Sequence, residues 1–348
     1  MISSTIEIHN IKNSQKDEIG QKTYTEDNFR QMAKTESPNQ NQNYKYLCPI
    51  KQLLIIIIPI TVVLLFAAIF IPVYIVENDK DDDAVTQDEE FDEFELTFEN
   101  LTYAILTPKG GYDNIFIFLG GIGNAPQDYF TFFQSKNTII PKGTKIYSIS
   151  GTPRKMEFAY QTNMLPEGAP CFGWFNVDMY ANLINSNSAI DNSNFDEAIA
   201  SKELMLNEID RIQKAEQISY SKIYLGGFSQ GAIMVNYLLL NSRHKLGGYL
   251  AFSGFIFDEV FSPPNEVATT LSDVQKAKLD AKKDYHILAA HSFNDNAVSY
   301  SQSIQGYYTY FKDYTDFTLY SFGDLEHKFP EQPTNPQVKK WLKESMGK

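Results

Sequence analysis

The sequence predicts an α/β fold in which a mainly parallel central sheet is flanked by helices. From about residue 97 onward, short apolar runs typical of strands alternate with longer segments of helical periodicity. One of these strands is followed at once by a glycine-serine-glycine turn and an apolar helix. Alternating strands and helices are typical of parallel sheets, because a helix usually connects each strand to the next.

The predicted strands are apolar runs of three to six residues, at 101–106, 115–119, 146–149, 223–225, 249–252, 285–290 and 317–320. The predicted helices cover 195–217, the residues after Ser229, 299–310 and 338–342. The first of them has Asn194 as its expected N-cap, with Glu197 three residues later, as in a capping box.

The N-terminal part of the chain has a different character. Residues 1–52 are polar, without a sustained apolar period, and we expect a disordered tail. Residues 53–76 contain no charge. At a rise of about 1.5 Å per residue they would extend for about 36 Å, which is enough to cross a bilayer. The sequence therefore predicts one transmembrane helix in front of the α/β body.

The lysines on either side of this span predict its orientation. Lys34, Lys45 and Lys51 lie within twenty residues before it, whereas only Lys80 lies within twenty residues after it. The positive-inside rule then places the N-terminus in the cytosol and the body in a lumen or outside the cell. The glycosylation sequon at 100–102, Asn-Leu-Thr, falls on the predicted lumenal side.

The formal charge of −13 is mostly local. Residues 77–96 contain eleven acidic residues and one lysine, which predicts an extended acidic linker. Residues 97–348 contain 26 acidic and 22 basic residues and show no basic face, so we expect no nucleic-acid partner. Two cysteines cannot form a disulfide framework, and no cysteine–histidine cluster has metal-ligand spacing. We therefore expect neither a metal nor a cofactor.

The central motif is the stretch 227–231, Gly-Phe-Ser-Gln-Gly, which fits G-x-S-x-G. A serine on a sharp strand-to-helix turn exposes its hydroxyl, and the crowded backbone requires small residues two positions away on each side. The motif can occur by chance, but here a strand precedes it and an apolar helix follows. The sequence predicts that Ser229 is a nucleophile and that the amide of Gln230 faces a developing oxyanion.

A serine hydroxyl needs a general base and a group that orients the base. His327 lies in a polar loop after the last predicted strand and is the body histidine that follows every plausible acid. Asp295, just after the strand 285–290, is the favoured acid, and Asp258, after the preceding strand, is the alternative. The other body histidines are expected to have structural roles: His244, His286 and His291.

A second oxyanion donor is expected in the loop 120–124, Gly-Gly-Ile-Gly-Asn, which follows the strand 115–119. Its glycines allow the backbone to approach a substrate carbonyl, and the amide of Ile122 would be the donor. A phosphate-binding turn is the alternative interpretation. The loop lacks the Walker lysine and the full dinucleotide fingerprint, which disfavours that interpretation.

Residues 97–348 resemble the acyl-protein thioesterase and carboxylesterase family, which includes small lysophospholipases and has the α/β-hydrolase fold. Five segments carry the resemblance in order: 117–123, Gly173-Trp174-Phe175-Asn176, 226–232, 291–295 with Val298, and His327. The elbow 226–232 is the most specific of them. The resemblance implies that the catalytic triad consists of Ser229, Asp295 and His327. It implies an oxyanion hole formed by the amides of Ile122 and Gln230. It also implies that Trp174 and Phe175 lie near an acyl pocket.

Two loops depart from the family's pattern. Its oxyanion loop usually begins His-Gly and has Asp after the last glycine, whereas this chain has Gly120-Gly121 and Asn124. Its acid loop usually reads His-Gly, and here it reads His291-Ser292. The groups that these loops contribute are largely backbone groups, so we expect activity to be retained. The segment 255–283 is long for the family and is interpreted as an inserted lid.

Together these features predict a membrane-anchored serine hydrolase that cleaves carboxylic esters or thioesters of acyl chains through an acyl-enzyme. S-acylated proteins are favoured as substrates if the body is cytosolic, and lysophospholipids or small esters are favoured if it is lumenal. The alternative function, which is not enzymatic, is that of an inactive hydrolase fold that serves as a lipid-binding module.

Overall fold

The computed structural model describes the body of the chain, in these segments: residues 89–98, 101–135, 138, 140–156, 171–176, 195–256, 271–311, 313, 316–323, 325–329, 333 and 335–347. The predicted tail 1–52 and transmembrane helix 53–76 lie outside them. None of the helices in these segments combines the length and the apolar character that a bilayer-spanning helix requires. The transmembrane helix and its orientation therefore stay predictions.

The core of the molecule is an eight-stranded sheet in the order β1-β2-β4-β3-β7-β8-β9-β10. The strands are β1 (Phe91–Phe98), β2 (Leu101–Pro108), β3 (Asn114–Leu119), β4 (Thr144–Ser150), β7 (Ile223–Phe228), β8 (Gly248–Phe252), β9 (Ile287–Ser292) and β10 (Phe317–Phe322). The six strands from β4 to β10 pair in parallel, and β1 and β2 pair antiparallel at one edge. The prediction of a mainly parallel sheet is confirmed. A separate two-stranded ribbon joins β5 (Pro153–Arg154) to β6 (Cys171–Phe172).

The predicted C-terminal boundary of the acidic linker, residue 96, was wrong by six residues. The sequence assigns residues 77–96 to an extended linker, whereas the structure begins β1 at Phe91 and pairs it along its whole length with β2. Glu90 also forms an ion pair with Lys109 at 3.0 Å. The acidic composition led to the prediction of a linker where the structure has an edge strand. Charged side chains are compatible with such a strand because they can face water. Asp92 and Glu93 are indeed exposed.

The helices are α1 (Phe130–Phe133), α2 (Phe195–Glu216), α3 (Gln230–Asn241), α4 (Asp273–Asp280), α5 (Tyr300–Phe311) and α6 (Pro336–Met346). All four predicted helices are present, with ends that differ by a few residues at most. Helix α4 was not predicted, although Ser272 and Gln275 form a capping box at its start. The expected cap Asn194 and the central part of the predicted lid, 257–270, lie outside the described residues.

Every residue of β3, β7, β8 and β9 is buried. Parallel strands covered on both faces are expected to be apolar throughout, and these four largely are. Their carboxyl ends meet at one edge of the sheet, where ligand chemistry collects in open α/β folds. The loop 120–124, Ser229 and Asp295 follow β3, β7 and β9 at this edge, and His327 follows β10.

Candidate active site

The turn between β7 and α3 has the geometry of a nucleophile elbow. Ser229 has φ 56° and ψ −122°, a backbone conformation that a residue with a side chain adopts rarely. A Cβ atom on Gly227 would lie 2.6 Å from the backbone carbon of Gly231. A Cβ on Gly231 would in turn clash with the carbonyl of Leu119. Both small residues of the motif are therefore required by backbone crowding.

The structure brings the three predicted catalytic side chains into contact. His327 Nε2 lies 2.9 Å from Ser229 Oγ. His327 Nδ1 lies 2.9 Å and 3.0 Å from the two carboxylate oxygens of Asp295. The ring of Phe228 stacks on the imidazole with 4.8 Å between ring centroids. The side chains are thus arranged so that one proton can pass between Ser229 and His327, while Asp295 holds the other side of the imidazole.

The carboxylate of Asp295 has no exposed surface. Its Oδ1 accepts hydrogen bonds from the amides of Ala297 at 2.9 Å and Val298 at 2.7 Å. Burial raises the pKa of this carboxyl, but hydrogen bonds from His291 and His327 outweigh burial and hold the pKa well below its usual range. The group is therefore ionised throughout the pH range in which histidines titrate. An ionised acceptor at Nδ1 keeps a proton on that nitrogen and leaves Nε2 free to accept one.

His291 contacts the buried acid, a role that the sequence did not indicate. Its side chain is completely buried, and its Nε2 lies 3.0 Å from the carbonyl oxygen of Val298 and 3.4 Å from Asp295 Oδ2. Its Nδ1 has no hydrogen-bond partner among the described residues, so the proton belongs on Nε2. The four-residue spacing between His291 and Asp295 was the available signal. The alternative acid, Asp258, lies outside the described residues.

The loop 120–124 leaves one amide available. Four of its amides donate to protein acceptors: Gly120 to the carbonyl of Ile149, Gly121 to the hydroxyl of Tyr129, Gly123 to the carbonyl of Phe172, and Asn124 to the carbonyl of Gly121. The amide of Ile122 has no acceptor in the described part of the chain. Gln230 is the first residue of α3, and an amide at that position has no acceptor within its helix. These are the two amides that the sequence predicts as oxyanion donors.

The two residues at which the loop 120–124 departs from the family's usual pattern, Gly120 and Asn124, both suit the position of Tyr129. The Tyr129 hydroxyl donates to Asn124 Oδ1 at 3.0 Å, and Asn124 Nδ2 donates to Asp128 Oδ2 at 3.3 Å. An aspartate at position 124 would place two carboxylates side by side, so the amide suits this neighbourhood. A Cβ atom on Gly120 would lie 3.3 Å from the Tyr129 ring, so a histidine there would require the ring to move.

Trp174 and Phe175 support the site from within. Each side chain is only 1% exposed, so neither offers an open surface to an acyl chain in this structure. The Trp174 indole donates to the carbonyl of Gly120 at 2.8 Å. The Gln230 side chain accepts from the Trp174 amide at 2.8 Å and donates to the Phe175 carbonyl at 2.7 Å. These bonds join Trp174 and Phe175 to the loop 120–124 and to the first residue of α3. Direct contact of the two side chains with an acyl chain stays a prediction.

Comparison with known proteins extends these observations. A family model described as phospholipase/carboxylesterase matches residues 101–343. The acyl-protein thioesterase 1 of Eremothecium gossypii is 35% identical over 86 residues, which cover 25% of this chain and 33% of that protein. The acyl-protein thioesterase 1 of Kluyveromyces lactis is 26% identical over 156 residues, 44% of this chain and 60% of that protein. The matches thus span a third and three fifths of these relatives' lengths.

Solved structures share the fold. A crystal structure of SOBER1 from Arabidopsis thaliana has a TM-score of 0.50 at 16% identity and covers 67% of this chain and 99% of its own. A crystal structure of esterase PE8 has a TM-score of 0.50 at 16% identity, with 73% and 99% covered. At this identity the likeness concerns the fold alone.

Replacing the indole of Trp174 tests its support of the loop. Trp174→Phe removes the donor to the Gly120 carbonyl, and a lost bond of about 1.4 kcal/mol at the site corresponds to about a tenfold slower reaction of Ser229. The measurement is the second-order rate of labelling by a fluorophosphonate probe. Trp341→Phe, which changes the chain's other tryptophan on α6, is the matched control and should label at the wild-type rate. Equal rates for both variants would contradict the proposed support.

Proposed function

This chain belongs to the phospholipase/carboxylesterase family, and from that premise we propose that it is a serine hydrolase of carboxylic esters or thioesters of acyl chains. The observation that carries the proposal is the continuous hydrogen-bond chain from Asp295 through His327 to Ser229. It lies beside a loop amide, that of Ile122, without an acceptor in the described part of the chain. The groups that we propose as nucleophile, base, orienting acid and oxyanion donors thus lie close together, which supports the proposal.

In the proposed acylation step, Ser229 Oγ attacks the acyl carbonyl carbon while His327 Nε2 takes the hydroxyl proton. The negative charge that develops on the carbonyl oxygen is stabilised by the amides of Ile122 and Gln230. Collapse of the tetrahedral intermediate breaks the bond to the alcohol or thiol, which leaves with the proton from His327. The ionised Asp295 stabilises the imidazolium in between.

Deacylation repeats these chemical steps with water as the nucleophile. His327 accepts a proton from the water that attacks the acyl-enzyme and returns it to Ser229 Oγ as the acid leaves. An oxygen ester and a thioester differ here only in the leaving group. The same five groups therefore serve both substrate classes.

We propose S-acylated proteins or acyl lipids as substrates, and the side of the membrane decides between them. The relatives are named acyl-protein thioesterases, which favours S-acylated proteins. The acylated cysteines of such substrate proteins mostly face the cytosol, whereas the lysines on either side of residues 53–76 favour a body in a lumen or outside the cell. In that orientation lysophospholipids or small esters are the accessible substrates. Anchoring through residues 53–76 belongs to this proposal.

Covalent labelling tests the nucleophile. The full-length protein should react with a fluorophosphonate probe, because such probes modify a serine activated by its base and oxyanion donors. Ser229→Ala should abolish the reaction, whereas Ser301→Ala, at an exposed serine on α5, should leave it unchanged. A folded wild-type protein that fails to label would favour the inactive, lipid-binding alternative. Labelling that persists in Ser229→Ala would place the nucleophile elsewhere.

Asp295→Asn tests the orienting acid. An amide cannot supply the charge that fixes the His327 tautomer, so we expect kcat for a nitrophenyl ester to fall by about 10⁴. Asp258→Asn, the alternative acid, should have a mild effect on the same assay. The reverse order of severity would move the acid to the other loop.

Protease protection tests the orientation. In sealed vesicles with their cytosolic side outward, the body should survive added protease and be digested only after detergent opens the vesicles, because the lysine distribution favours a lumenal body. Digestion without detergent would put the body on the cytosolic face and favour S-acylated proteins as substrates.

A further inference from the structure

The loop that carries His327 is attached to the core on both sides of the histidine. Leu325 and Phe329 pack against the main hydrophobic cluster, whereas Glu326 and Lys328 are exposed. Glu326 has φ 52°, in the left-handed region that residues with side chains seldom occupy. Such a conformation persists when surrounding contacts enforce it. The two apolar residues supply those contacts, and the chain between them turns His327 toward Ser229.

Phe329 attaches the loop through contacts of its aromatic ring. Its ring contacts five other aromatic rings at centroid distances between 5.2 and 5.7 Å, and these belong to Phe118, Tyr129, Phe132, Phe228 and Phe252. Three of the contacts, those with Tyr129, Phe132 and Phe252, are edge-to-face, the arrangement that aromatic quadrupoles favour. A ring held on several sides has little freedom to shift.

The rings around Phe329 belong to the elements that hold the other reacting groups. Phe228 immediately precedes Ser229, and the carbonyl of Phe252 accepts the Ser229 amide at 2.9 Å. The Tyr129 hydroxyl accepts the amide of Gly121, next to Ile122 in the oxyanion loop. Phe329 therefore touches the supports of the nucleophile and of the oxyanion donors, and it lies two residues from the base.

We propose that Phe329 is a positioning residue for the reaction at Ser229. Its ring fixes the histidine loop against the elbow and the oxyanion loop, and so sets the distance from His327 Nε2 to Ser229 Oγ. This inference rests on the proposed hydrolase function. A displacement of about 1 Å in such a constellation can slow the chemical step about 100-fold, while substrate binding elsewhere is unaffected.

The test compares the same substitution at two positions of one cluster. Phe329→Leu keeps an apolar side chain but loses the ring edges. Phe133→Leu is the matched control, because Phe133 is buried in the same cluster and none of its ring contacts in the described part of the chain is with Phe329. Both full-length variants are assayed with a nitrophenyl ester well below their unfolding midpoints.

We expect Phe329→Leu to lower kcat at least tenfold with KM within about twofold of wild type. Labelling by a fluorophosphonate should slow in parallel. Phe133→Leu should retain wild-type kcat even where its unfolding midpoint falls as far. Phe329→Met, which fills the space with a longer and more adaptable side chain, gives the same comparison if the leucine variant does not fold.

The outcomes separate the inference from the function on which it rests. A reactive wild type with unchanged kcat in the folded Phe329 variant overturns the positioning role alone. Equal losses of kcat in Phe329→Leu and Phe133→Leu also overturn it, because they indicate a general effect of core packing. A wild type that neither labels nor hydrolyses overturns the proposed function itself.

Discussion

The sharp reversal of the backbone at Ser229 is the constraint on which the rest of the structure depends. A residue held at φ 56° costs on the order of 1–3 kcal/mol relative to a relaxed conformation. The turn persists because β7, a fully buried strand, is fixed between β3 and β8, and because α3 packs back across the sheet. The missing side chain of Gly227 lets α3 approach β7, and that of Gly231 lets α3 approach the end of β3 at Leu119.

Around this turn, the structure satisfies polar groups that burial would otherwise make costly. The carboxylate of Asp295, which has no exposed surface, is satisfied by two backbone amides and two imidazoles. The Tyr129 hydroxyl accepts from Gly121 and donates to Asn124, so this side chain joins two residues of the loop 120–124. Among the amides of the loop 120–124, that of Ile122 is the one without an acceptor in the described part of the chain.

The sequence was sufficient for the features that depend on local pattern. Strand and helix periodicity predicted the parallel sheet, and the spacing of glycines around Ser229 predicted the elbow. Chain order and strand ends selected Asp295 and His327. The contacts of Trp174 and Phe329 were not predictable in this way, because each joins segments far apart in sequence. His291 lies only four residues from Asp295, but that spacing does not by itself show a contact. A buried histidine, tryptophan or phenylalanine looks the same in sequence whether it fills space or orients a neighbour.

The position of β1 at the edge of the sheet has a consequence for association between copies of the molecule. Strand β1 lies at one edge of the sheet, and within the described residues its side away from β2 pairs with no other strand, so its backbone groups could template pairing with another chain. Asp92 and Glu93 are exposed on this strand, beside Phe94, which is 63% exposed. Two copies meeting edge to edge would bring these like charges together. The acidic residues that obscured the strand in the sequence thus protect the folded sheet against aggregation.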